Sequence, residues 1–81
     1  MARDEAFGRF QKAIAEVLDV DATTVVREAR WAEDLDADSL AVVEITLVLA
    51  DEFHIQIPDV EPEELQTVGQ AFDLVATLLG I

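Results

Sequence analysis

Seven consecutive residues concentrate the chemistry this sequence could perform: Asp34-Leu35-Asp36-Ala37-Asp38-Ser39-Leu40. Carboxylates at alternate positions suggest a calcium loop, and Asp34, Asp36 and Asp38 occupy positions 1, 3 and 5 of the EF-hand pattern. That pattern next requires glycine at position 6 and a bidentate glutamate at position 12, where Ser39 and Ile45 stand instead. The serine offers a second chemistry. As a nucleophile it would need a general base and an orienting acid. The single histidine, His54, falls at the far end of the helix that Ser39 opens, about four turns and on the order of 20 Å away at 1.5 Å per residue. The single lysine, Lys12, forms no motif with Ser39. Hydrolase chemistry is therefore set aside. Ser39 reads as a first-turn residue beside the N-cap Asp38. There it either helps cap the helix or presents a hydroxyl whose phosphate ester would face backbone N–H groups and the positive end of the helix dipole.

The elements that position this segment follow from hydrophobic periodicity. Phe7, Phe10, Ile14 and Val17 recur at i, i+3, i+7 and i+10, which predicts helix I over about residues 3–18, with Gly8 inside it at a cost of up to about 1 kcal/mol relative to alanine. Residues 19–37 show no sustained period and read as a long ordered loop with a short turn near Asp21-Ala22-Thr23-Thr24. Leu18, Val20, Val25, Val26, Trp31 and Leu35 are expected to pin it to the core. Helix II is predicted from Asp38 or Ser39 to Phe53, followed by an extended exit into Pro58. A short helix III is expected from Pro62 through Glu63-Glu64-Leu65. Thr67-Val68-Gly69-Gln70 has capping-box spacing and opens helix IV, with Val68, Phe72, Val75 and Leu79 on its apolar face. The fold class is all-α: a small four-helix bundle with a short third helix and a long loop between helices I and II.

Helix II has two apolar stripes. Val42, Ile45, Leu49 and Phe53 form the core face. Leu40, Val43 and Leu47 lie on a neighbouring face, flanked by Glu44 and Asp51, with Glu52 farther round. Either both stripes are buried, or the second is a docking face that suits a groove edged with arginine and lysine.

Composition supports a packed but strongly charged domain. The chain has 81 residues, a net charge of −13 and 52% hydrophobic residues. That hydrophobicity separates it from disordered acidic tails. The sign of its charge argues against nucleic acid and anionic lipid surfaces, and favours basic protein partners. With no cysteine it has neither a disulfide nor a thiol of its own. The charged N-terminus leads into no apolar signal region, and no apolar run is long enough to span a membrane. A single free-standing cytoplasmic domain over 1–81 is the expectation.

Trp31 through Glu44, the Asp51-Glu52-Phe53 run, Ile57-Pro58-Asp59 and Thr67-Val68 together resemble the acyl carrier proteins over nearly the whole chain. Asp-Ser-Leu alone is a weak signal. Opening an acidic two-stripe helix and followed at this spacing by Ile-Pro-Asp, it is a strong one. The resemblance implies a non-enzymatic carrier, in fatty acid or specialised polyketide biosynthesis, that holds acyl groups as thioesters. A phosphopantetheinyl transferase would attach 4′-phosphopantetheine from coenzyme A to the serine matched by Ser39. Asp38 and Leu40 match its flanking residues. Val43, Glu44, Leu47, Asp51 and Glu52 match the face shown to acyltransferases, ketosynthases and other synthase enzymes with basic patches. Val42, Ile45, Leu49, Phe53, Ile57, Ala71 and Val75 are candidates to line an acyl chain held in the core. No metal site and a monomeric state are expected. Asp36 stands where many relatives have glycine, Trp31 replaces a common phenylalanine, and Ala41 and Ala50 replace frequent acids. These departures keep a specialised pathway in view. The alternatives are a peptidyl or D-alanyl carrier, or an unmodified helical adaptor docking through helix II.

Overall fold

The computed structural model describes residues 2–58 and 65–81, and its elements follow the chemistry of their ends. Helix α1 spans Arg3–Leu18 and stops at Asp19, which adopts the left-handed region at φ 56°. Helix α2 spans Ser39–Phe53 and stops at left-handed His54. Helix α3 spans Val68–Leu79 and stops at left-handed Gly80. Its start is a complete capping box: the Gln70 N–H donates to Thr67 Oγ1 at 3.2 Å, and the Thr67 N–H donates to Gln70 Oε1 at 3.1 Å. The short helix expected from Pro62 lies outside the described residues, apart from Leu65, which is buried.

Helix α1 packs against both α2 and α3. It buries Ala6, Phe10, Ala13 and Ile14, the i, i+3, i+4 face expected of a bundle helix. The rings of Phe7 and Phe10 meet Phe72 of α3 edge-on, at centroid distances of 4.9 Å and 5.5 Å, a geometry that aligns the positive ring edge with a π face. Arg3 lies over Phe72 of this seam and Arg9 over Phe53 of α2, so two of the five cations each cover an aromatic ring.

The long loop is held in place at several points. Asp21 accepts from the Thr23 N–H and hydroxyl, nucleating the 3₁₀ turn Ala22–Thr24, and these bonds hold its carboxyl below the ordinary aspartate range. Val25, Trp31 and Leu35 are buried as expected, whereas Val26 is 42% exposed. Val25 ends the 3₁₀ turn at φ −89° and ψ 78° and takes the inward side. Farther on, the loop lies along the start of α3: Trp31 N donates to Gln66 O (3.2 Å), Val68 N to Ala29 O (2.9 Å) and Gly69 N to Arg27 O (3.0 Å). A Cβ at residue 69 would stand 3.1 Å from the Arg27 carbonyl oxygen, so glycine permits this close approach. No helix among the described residues is long and apolar enough to cross a membrane.

Candidate functional site

The three aspartates that suggested a calcium loop have separate tasks. Asp34 closes a turn: its Oδ2 accepts from the Arg30 N–H at 2.8 Å and from Arg30 Nε at 3.4 Å. The backbone hydrogen bond, joined by the Arg30 guanidinium, holds the Asp34 carboxyl below the usual aspartate range. Asp36 has φ 54°, a left-handed conformation that aspartate tolerates better than most side chains. It stands at the position where the family resemblance led us to expect glycine. Asp38 caps α2, its Oδ1 accepting from the Ala41 N–H at 2.9 Å. Two turns and a cap thus bring the chain to Ser39, the first helical residue, with its side chain exposed.

Ser39 borders a surface groove of about 420 Å³, floored by Trp31, Val42 and Leu65. The same three residues also belong to the wall of an interior apolar cavity between α2 and α3. That cavity has room for about 10 Å³, at most one water. Of the residues proposed to line an acyl chain, Val42, Ile45, Leu49, Ile57, Ala71 and Val75 stand in its wall. Phe53 does not; it is buried beneath the Arg9 guanidinium, 5.2 Å from its ring centroid. Thr46, Leu65 and Leu74 join the wall without having been singled out by periodicity. Trp31, expected as a loop pin, stands between groove and cavity.

The second stripe of α2 is outside the core. Leu40, Val43 and Leu47 are the largest exposed apolar group on any helix among the described residues. Glu44 and Asp51 flank them, exposed and without an ion pair among the described residues. Glu52 turns the other way and meets Arg9 of α1 at 3.1 Å. The remaining arginines are also paired away from this face, Arg3 and Arg27 on Asp73 and Arg30 on Glu33 and Asp34. The outer face of α2 is therefore apolar and negative, and no arginine among the described residues pairs with it.

A family model described as "Phosphopantetheine attachment site" matches residues 8–75, most of the chain. An acyl carrier protein of Picosynechococcus sp. is 42% identical over 76 residues, covering 94% of each chain. Another, from Thermosynechococcus vestitus, is 43% identical over 75 residues, covering 93% of each. A third, from Lactobacillus acidophilus, is 38% identical over 80 residues, covering 99% of this chain and all of its own. The chain belongs to the acyl carrier protein family. Acyl carrier proteins are carriers rather than enzymes, and they work through covalently attached 4′-phosphopantetheine. The residues at hand fit such a group. An exposed hydroxyl stands at a capped helix start, a groove leads from it toward an apolar interior, and a chain without cysteine has no competing thiol.

Proposed function

We propose that this chain carries acyl groups on 4′-phosphopantetheine attached to Ser39, in fatty acid or specialised polyketide biosynthesis. The observation that carries the reading is the exposed Ser39 hydroxyl at the start of α2, beside a groove on one side and an apolar, acidic helix face on the other. The prosthetic group supplies a thiol, which this chain lacks, as the site of thioester formation. The chain's own residues do the positioning. Asp38 fixes the first turn of α2, so the serine is held at the helix terminus rather than on a frayed end. The positive end of the helix favours a phosphate at that hydroxyl.

In this reading Leu40, Val43, Glu44, Leu47 and Asp51 form the docking face for a phosphopantetheinyl transferase and for acyltransferases, ketosynthases and other synthase enzymes with basic patches. Glu52 steadies α2 against α1 and contributes at the margin. The cavity wall formed by Val42, Ile45, Leu49, Ile57, Ala71 and Val75 receives the acyl chain. Because the cavity holds at most one water, a chain can enter only if α2 and α3 separate slightly. A monomeric, cytoplasmic single domain over 1–81, a four-helix bundle with a short third helix, completes the proposal.

Incubation with coenzyme A, magnesium and a broad-specificity phosphopantetheinyl transferase, followed by intact mass measurement, tests it. One phosphopantetheine adduct is expected, and none on Ser39→Ala. No adduct on the unaltered chain, with a transferase shown to be active on a control carrier, overturns the proposal.

A further inference from the structure

The indole nitrogen of Trp31 is the one buried side-chain polar atom without a hydrogen-bond partner among the described residues. The residue is 2% exposed, and both of its backbone groups are paired, the N–H with Gln66 O and the carbonyl with Ala37 N. A buried indole N–H can only donate, and such donors normally find an acceptor. Leaving one unmet costs more than placing a phenylalanine in the same wall.

Location restricts what the acceptor can be. Among the described residues, Trp31, Val42 and Leu65 line both the Ser39 groove and the interior cavity and so form the partition between them. Of the three, only Trp31 carries a polar side-chain atom. A trapped water is a poor answer, because a buried water needs two to four polar partners. The other polar side chain among the described residues of the cavity wall, Thr46, donates its hydroxyl to Val43 O at 2.7 Å and makes no bond to the indole. The other described residues of the wall are hydrocarbon. The described wall therefore offers the indole no acceptor, and a chain that passes the partition can bring one.

Building on the carrier reading, we propose that Trp31 is a specificity-determining residue. Its indole N–H donates to an oxygen on the acyl chain entering from the Ser39 groove, which selects chains bearing a 3-oxo group over saturated chains of equal length. The thioester carbonyl is common to both chains, so only an acceptor farther along the chain can distinguish them. Hydrocarbon walls alone would disfavour the 3-oxo chain, whose ketone oxygen they leave unpaired, and the single donor at the entrance reverses that preference.

The chain has one tryptophan, so its indole N–H gives a single, unambiguous NMR cross-peak. The protein is loaded by the transferase as holo, hexanoyl and 3-oxohexanoyl forms, each verified by intact mass. The expected result is a downfield shift of the indole proton in the 3-oxo form only. An equal shift in the holo form would place the acceptor on the arm, and an equal shift with both chains, or none with either, would equally overturn the inference. Failure to load at all removes the carrier reading itself, a result that mass alone identifies. A second readout uses Trp31→Phe. Hydroxylamine cleavage of the 3-oxohexanoyl thioester should become roughly fivefold faster in this variant, the factor expected from one net hydrogen bond. Cleavage of the hexanoyl thioester should accelerate less, since that chain loses only wall packing, and equal acceleration of both would reduce Trp31 to a wall residue.

Discussion

Along α2, Ile45, Leu49 and Phe53 are at most 6% exposed, while Leu40, Val43 and Leu47 on the adjacent face are between 53% and 66% exposed. Both faces are aliphatic-rich, and both repeat at helical spacing. Their difference comes from what lies opposite. The inner face meets α1 and α3, whose aromatic seam fills the space. The outer face meets nothing among the described residues, and the nearby arginines are paired elsewhere. Burial makes the first face a source of stability. Exposure beside carboxylates without an ion pair among the described residues is what the proposed docking role of the second rests on.

Replacing one leucine on each face tests that contrast most strongly. Leu49→Ala should cost about 2–5 kcal/mol by denaturant unfolding, since it opens a cavity in a tightly closed core. Leu47→Ala should change stability by no more than about 0.5 kcal/mol, yet slow acyl loading by partner enzymes. Comparable destabilisation by both would erase the distinction. A smaller effect is expected from charge. Glu44→Lys or Asp51→Lys should lower kcat/KM for phosphopantetheinyl transfer about tenfold at low salt, because attraction to a basic patch becomes repulsion. Neither should lower Tm, as each relieves crowding in a chain of net charge −13. Transfer kinetics that do not move would remove these carboxylates from the docking face.

The mildest effects concern backbone conformation. Asp36→Gly should stabilise the chain by up to about 1 kcal/mol, because glycine meets φ 54° without penalty. Gly8→Ala should do so by a similar amount, about 0.4–1 kcal/mol, since a Cβ there meets no atom within 4 Å. Urea melts check both. Neither substitution touches the outer face of α2, so unchanged loading kinetics would confine recognition to that face.

Much of this was legible in the sequence because helix ends are written in local chemistry. Asp38 and Thr67 with Gln70 marked the starts of α2 and α3, and Phe7, Phe10 and Ile14 gave α1 its period. The Asp34–Leu40 segment stood out for the same reason. What periodicity could not separate were the two stripes of α2, because exposure depends on distant partners. Nor could it place Glu52 on Arg9, 43 positions away in sequence, or reveal the left-handed backbone at Asp36. The unmet donor of Trp31 was equally hidden, as it depends on the path of an aperiodic loop. The one visible sign was a tryptophan where the resemblance led us to expect phenylalanine.

The three hydrogen bonds that join residues 27–31 to residues 66–69 have a mechanical consequence. They make the aperiodic loop part of the same cooperative unit as the first turn of α3. Such units open together rather than residue by residue. Trp31 is therefore hinged to a helix terminus, and its amide should share one opening free energy with those of Val68 and Gly69. The partition beside Ser39 would then behave as a latch, whose resistance is set as much by the Thr67–Gln70 cap as by the indole ring.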